Sequence, residues 1–231
     1  MKPFKVFVGW DQRDAQAYKV CRDTLKKHAT IPLEIYPLKE WELRKQHVYW
    51  RSYQVDQKGQ MWDDRDGKPF STNFSFTRFC VPIIEEYRDE WVLFCDADMM
   101  WRADVAELLT HKDTSKAVMC VKHDHRPNES SKMDGVIQTV YRRKNWSSLM
   151  LMNPSKCRML TPYAINNQTG EWLHSMCWVA DEDIGGLPEE WNWLEGWSSP
   201  DLDPKVIHYT RGTPDMTPVS AYAEDWWGVL A

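Results

Sequence analysis

No run of apolar residues in this 231-residue chain approaches the roughly 18 that a membrane-spanning helix requires. Met1 to Trp10 passes directly into a strand pattern, without the profile of a secretory leader. A soluble, cytoplasmic protein is therefore expected. The six cysteines, Cys21, Cys80, Cys95, Cys120, Cys157 and Cys177, contain no CxxC pair. Most of them sit in apolar stretches, where a free thiol acts as a small hydrophobe, and a reducing compartment fits them best. Excess positive charge is also missing. With 34 acidic against 29 basic residues and a net charge of −5, the chain is not expected to bind nucleic acid. Its one basic run, Arg142, Arg143 and Lys144, reads as a solvated loop. Internal repeats and low-complexity segments are absent, so no repeat architecture is expected.

What remains is the length of one domain with a core large enough to stand without staples. Phe4, Val6 and Val8 alternate with period two up to Gly9, the pattern of a first strand. Asp11 then caps a helix that carries Ala17, Cys21 and Leu25 on one face and ends near His28. Leu33 and Ile35 mark a second strand, closed by Pro37. Residues 39–70 are polar and mixed and read as a long excursion rather than a core element. Phe76, Phe79, Cys80, Ile83, Ile84 and Tyr87 form one helical stripe, with Pro82 inside it as a kink or a first turn. Further strands are expected at 91–95, 117–121, 149–152 and 206–209, with a short helix at about 103–109. Trp226 and Trp227 are large enough to dock the tail onto the body. Strands and helices alternate, so the expected class is α/β, a mostly parallel central sheet with helices on both faces in a single domain.

One junction carries the functional reading. Trp91, Val92, Leu93, Phe94 and Cys95 run straight into Asp96, Ala97 and Asp98. Such a run is a buried central strand, and its carboxyl end is where α/β sheets bind ligands. Two carboxylates one residue apart at that edge can hold a hard divalent cation, which can in turn hold nucleotide phosphates. The plainer reading makes Asp96 and Asp98 turn residues that end a strand.

The surrounding anchors resemble a known family. Val8, Gly9, Trp10 and Asp11 at the first turn, the Ser-Phe-Thr-Arg-Phe element at Ser75–Phe79, the Asp-x-Asp strand and a late strand with His208 resemble the glycogenin-like, family 8, GT-A (Rossmann-like) glycosyltransferases. The segment Trp146 to Asn153 is similar to the family's sugar-binding strand. Asp181, Glu182 and Asp183, followed by Leu187, Pro188, Trp191 and Asn192, resemble its Asp-Gln-Asp, Leu-Pro and Trp-Asn sequence. The resemblance implies a retaining hexosyltransferase that uses Mn²⁺, with Mg²⁺ as the alternative, and a nucleotide sugar, usually a UDP-sugar, with a carbohydrate or other hydroxyl acceptor. It further implies a nucleotide-binding half at about 1–110 and an acceptor and sugar-binding half at about 111–231.

Each residue has a role under this resemblance and a plainer one beside it. Asp96, Asp98 and His208 are the implied metal ligands, whereas His208 alone reads as a core histidine. Val8, Gly9, Trp10, Asp11, Tyr18 and Ala97 fall where the nucleotide is held. Asp11 would meet uracil N3 or act only as a helix cap. Arg78 clamps a phosphate or a donor hydroxyl, or else forms a surface ion pair. Ser147 and Ser148 meet donor-sugar hydroxyls or pack as small residues, and Arg211 with Gly212 forms the pyrophosphate loop. Asp181 holds donor hydroxyls and Glu182 faces the reacting carbon, or is a solvated loop acid. Among fourteen tryptophans, Trp172, Trp178, Trp191, Trp193 and Trp197 crowd the third quarter and include candidates for stacking on an acceptor sugar.

The chain also departs from the family. Trp146 stands at the family's asparagine, with Asn145 beside it. Gly212 follows His208 by four residues instead of three, and Arg211 replaces the loop lysine. Glu182 replaces a glutamine. The cluster His123, Asp124 and His125 reads as structural or as part of an acceptor site. A haloacid-dehalogenase-type phosphatase also places Asp-x-Asp after a strand, but on its first strand. A catalytically silent carbohydrate- or nucleotide-sugar-binding protein of the same fold is the remaining alternative.

Overall fold

The computed structural model describes residues 2–124, 139, 141–217 and 219–231. β1 (Phe4–Gly9) is the alternating segment, and α1 (Ala15–His28) buries Ala17, Val20, Cys21, Thr24 and Leu25. Lys26, Lys27 and His28 fill its last turn, where cations suit the helix dipole. β2 (Leu33–Leu38) is an edge strand, which is why it tolerates Pro37. β6 (Val92–Cys95), β8 (Val118–Val121) and β9 (Leu149–Met152) are buried along their whole length. With β10 (Ile184–Leu187) they complete a six-stranded sheet of order β10-β8-β9-β6-β1-β2. Only β9 runs against its neighbours; the other strands are parallel. The fold is thus α/β with a mostly parallel central sheet in one domain.

Among the described residues two smaller sheets accompany it. β7 (Met99–Trp101), β11 (Trp193–Leu194) and β12 (Val206–His208) form one, in the order β11-β12-β7. β7 was not expected, although Met99, Met100 and Trp101 are a continuous apolar run; it is locked to α1 because the Trp101 amide donates to Thr24 Oγ1 (3.1 Å). α8 (Ala223–Leu230) covers this sheet with Trp226 buried, while Trp227 stays 47% exposed, so one of the two tail tryptophans docks.

The other small sheet corrects the reading of residues 39–70. That stretch contains α2 (Glu40–Lys45) and strands β3 (Tyr53–Val55), β4 (Met61–Asp63) and β5 (Pro69–Phe70), and its Leu43, Tyr49, Met61 and Phe70 belong to the main core. Its polarity hid a buried ion pair. Arg51 donates to both oxygens of Asp63 (2.8 and 2.5 Å), and its Nη1 donates to the carbonyls of Ile165 and Gln168 (2.8 Å each). The latter lie on and just after α6 (Pro162–Asn167), which α7 (Gly170–His174) follows.

The expected stripe at 76–87 is broken into α3 (Phe74–Thr77), a 3₁₀ turn Arg78–Cys80 and α4 (Val81–Ile84), with Pro82 in the first turn of α4. Proline suits that position because it has no N–H to lose there. α5 (Val105–Leu109) is capped by Asp104, whose side chain accepts from the Ala106 amide. Among the described residues no helix is long and apolar enough to cross a membrane.

Candidate functional site

The carboxyl ends of β1, β6 and β8 and the start of β9 share one edge of the sheet. There Asp96, Ala97 and Asp98 make the turn from β6 into β7. The Asp96 amide donates to the Ser148 carbonyl (2.8 Å), which ties the turn to β9. β12 runs antiparallel to β7 with His208 opposite Met99, and the Tyr209 amide donates to the Asp98 carbonyl (3.0 Å). A strand from near the end of the chain thereby sets an imidazole beside the two carboxylates. One oxygen of each carboxylate and one His208 nitrogen lie within 4.8 Å of one another.

Asp98 Oδ1 is buried and accepts no hydrogen bond from a described residue; His208 Nε2 faces it at 3.5 Å. A buried carboxylate oxygen in that state is costly unless a cation faces it. Two carboxylates with one imidazole suit Mn²⁺ better than an all-oxygen Mg²⁺ set. The residues present therefore fit a divalent ion.

Arg78 reaches the same place and is buried, not a surface ion pair. Its Nη1 lies 2.9 Å from Asp96 Oδ1 and donates to the Ser147 carbonyl (2.9 Å), and its Nε donates to the Phe74 carbonyl (3.2 Å). Ser147 and Ser148 are buried beside it, with their hydroxyls turned to protein partners. Ser147 Oγ is 2.9 Å from His174 Nδ1. Ser148 Oγ donates to the Asn145 carbonyl (2.7 Å) and lies 2.9 Å from Asn192 Nδ2, so it is committed to the fold and not offered to a sugar. Neither His174 nor the Asn192 side chain was singled out from sequence as part of the site. Burial, and then the nearby charge of Arg78, hold the His174 ring well below the usual imidazole range, and it stacks on Tyr141 (5.1 Å, 13°).

At the end of β1, Val8 is core and Gly9 is required by packing: a Cβ there would stand 2.6 Å from the Phe74 ring. Trp10 meets Tyr18 edge-on (4.9 Å), with Lys39 Nζ 5.9 Å from its ring centre. Asp11 is turned inward. Its oxygens accept from the Arg13 amide, Nε and Nη2 and from the Asn73 amide (3.0, 3.0, 2.7 and 3.0 Å), so it caps the turn at Gln12–Asp14. Burial opposes its charge, but these hydrogen bonds outweigh that and hold the carboxyl below its ordinary value. Four accepted bonds leave little for a nucleobase, so the capping role is the one seen. After β12, Arg211 is exposed and lies over Trp197 (5.6 Å), with Gly212 at φ 119°.

Asp181 and Glu182 are not brought to this cluster. β10 is parallel to β8 and follows Asp183 directly, so these acids precede the amino end of β10, at the sheet edge opposite Asp96. The Ala117 amide donates to the Asp183 carbonyl there (2.9 Å). Asp181 pairs with Arg143 (2.7 Å), whose guanidinium lies 5.1 Å from the Trp146 ring centre, so the basic run is partly structural. The Glu182 side chain is exposed. Trp178, Trp191 and Trp193 are buried, which leaves only Trp172 and Trp197 of that group with partial solvent access. The His123 carbonyl accepts from Trp146 Nε1 (2.9 Å), and His125 lies outside the described residues.

Comparison with known proteins gives a relative and a fold. Protein CDI of Arabidopsis thaliana is 44% identical over 220 residues, covering 92% of this chain and 80% of the relative. The chain belongs to the Protein CDI family. No protein-family model matches it. Among solved structures, this chain resembles the bifunctional glycosyltransferase WbbM in its apo form, with a TM-score of 0.66 and 16% identity over 99% of this chain, which spans 50% of the WbbM chain. It also resembles the galactosyltransferase LgtC in complex with donor and acceptor sugar analogues, with a TM-score of 0.58 and 14% identity over 98% of this chain and 95% of LgtC. The fold is the GT-A fold of these glycosyltransferases.

Proposed function

We propose that the chain is a glycosyltransferase that takes a UDP-sugar as donor and a carbohydrate or other hydroxyl as acceptor, with Mn²⁺ held by Asp96, Asp98 and His208. One observation carries the reading: two carboxylates and an imidazole converge at the ligand edge of a GT-A fold, with Asp98 Oδ1 buried and unsatisfied. The likeness to LgtC, solved with donor and acceptor sugar analogues, supports both classes of ligand. A bound ion would offset the negative charge that develops on the leaving diphosphate.

The chain's own residues supply the rest. Arg78 holds Asp96 and brings a cation to the leaving group. Trp10 and Tyr18 offer an aromatic surface for the base, Arg211 beside Gly212 meets the diphosphate, and Trp172 and Trp197 flank the acceptor. Retention at the anomeric carbon, which the family resemblance implies, then proceeds without attack by Glu182, because that acid lies at the other edge of the sheet. The acceptor hydroxyl attacks on the face the diphosphate leaves, and its proton passes to a leaving phosphate oxygen.

Calorimetry with UDP tests the central assignment. Mn²⁺ should strengthen UDP binding in the wild type, and Asp98→Ala should abolish that gain and lower turnover on the order of a thousandfold. Equal UDP affinity in Mn²⁺ and in EDTA would overturn it. UDP-, GDP- and dTDP-sugars offered with Mn²⁺ sort the donors; binding without hydrolysis or transfer favours the silent binding protein.

A further inference from the structure

Asn192 ends the 3₁₀ turn Glu189–Asn192 and is fully buried. Its Nδ2 lies 3.3 Å from the Asn145 carbonyl and 2.9 Å from Ser148 Oγ, and its Oδ1 lies 3.0 Å from His208 Nδ1. A carbonyl oxygen can only accept, so Asn145 fixes which end of the amide is nitrogen. The end turned to His208 is then an oxygen, which also only accepts. His208 Nδ1 must carry the proton. A neutral imidazole has one, so the Nε2 lone pair is left facing Asp98.

We infer that Asn192 is the positioning residue that sets the tautomer and aim of His208 and so makes it a metal ligand; the inference rests on the metal reading above. The competing tautomer would put a proton on Nε2, 3.5 Å from the unsatisfied Asp98 Oδ1. Asp98 would then be satisfied by His208 and the site closed to cations. Asn192 opposes this by giving Nδ1–H an acceptor in the dry interior, where an N–H without one is costly. Ser148 extends the same control to the other side of the site. Its carbonyl takes the Asp96 amide (2.8 Å) while its hydroxyl donates to Asn145 (2.7 Å) and takes Asn192 Nδ2. Asn145 itself is held in the left-handed region (φ 65°), where asparagine is among the few residues at ease. One buried chain of hydrogen bonds therefore runs from the Asp96 backbone to the His208 ring.

Two measurements on wild type, Asn192→Leu and Asn192→Asp test it. Imidazole nitrogen NMR of the metal-free protein reads the tautomer, and Mn²⁺ titration followed by electron paramagnetic resonance reads affinity. Aspartate keeps an acceptor facing Nδ1, whereas leucine does not. The wild type and the aspartate variant should show His208 protonated at Nδ1 and bind Mn²⁺ within a few-fold of each other. The leucine variant should move the proton to Nε2 and bind about 10–100-fold more weakly. Wild-type His208 protonated at Nε2, or a leucine variant that binds as tightly as wild type, overturns the inference. Should the leucine variant fail to fold, the wild-type tautomer and the aspartate variant decide alone. A wild type with the expected tautomer that takes up no Mn²⁺ overturns the metal reading instead.

Discussion

At His174 the burial of a single ring sets a limit on stability in acid. The folded state keeps this imidazole neutral, because burial and then the nearby charges of Arg78, Lys144 and Arg51 disfavour its cation. In the unfolded chain it protonates at about 6.5. Below that pH the unfolded state binds a proton that the folded state refuses, so stability is lost as pH falls, by up to about 1.4 kcal/mol per unit. Urea unfolding at pH 7, 6 and 5 should show this slope in the wild type and a shallower one in His174→Gln. An unchanged slope in the variant would mean that His174 titrates normally. The same residue shows the limit of reading side chains from sequence. Asp96 and Asp98 were legible because a strand run pointed at them, but His174 depends on Ser147, Tyr141 and Arg78, which approach it only in the folded chain.

Among the elements, β10 changes the chemistry most. Asp181, Glu182 and Asp183 have the right residue types in the right order, yet Ile184 begins a parallel strand at once. No helix intervenes to carry the chain back across the sheet, so the acids stay at the amino edge. Glu182→Gln should therefore keep turnover within a few-fold of wild type in a donor hydrolysis assay, whereas a covalent nucleophile would lose on the order of a thousandfold. Trapping of a glycosyl group on Glu182 by mass spectrometry would restore the nucleophile reading. β10 escaped the periodicity reading because Gly185 and Gly186 dilute it. At Gly185 a Cβ would stand 2.1 Å from Met119 Sδ, so a larger residue there requires the Met119 side chain to move. The broken helix at 74–84 was legible through Pro82, whose ring cannot sit in a helix interior without removing a hydrogen bond.

At the scale of the molecule, two cores divide the work among the described residues. The larger one surrounds the six-stranded sheet, while a smaller one gathers Val20, Met100, Trp193, Ile207, Tyr209 and Trp226. Ile207 and Tyr209 flank His208, so α8 steadies the strand that delivers the imidazole. Trp226→Ala should lower unfolding stability by about 3–5 kcal/mol, the usual cost of emptying a tryptophan site. Chemical denaturation measures it, and a loss below about 1 kcal/mol would show that α8 is a loose appendage.

The sequence by itself determined the α/β class, the strand that ends at Asp96, the stripe of α1 and the break at Pro82, because each follows from local periodicity and backbone chemistry. The ordered anchors also singled out His208, which the family resemblance implies as a partner of Asp96 and Asp98. Only the tertiary structure decided that β7 pairs with β12 to set His208 beside Asp98, that Asn192 and Ser148 hold that arrangement, and that Asp11 faces inward. It alone placed Glu182 on the far edge and filled residues 39–70 with a sheet around Arg51 and Asp63. The physical reason is the same in each case. These facts rest on contacts between segments far apart in the chain, whose geometry is fixed by packing and strand direction and leaves no periodic trace in the sequence.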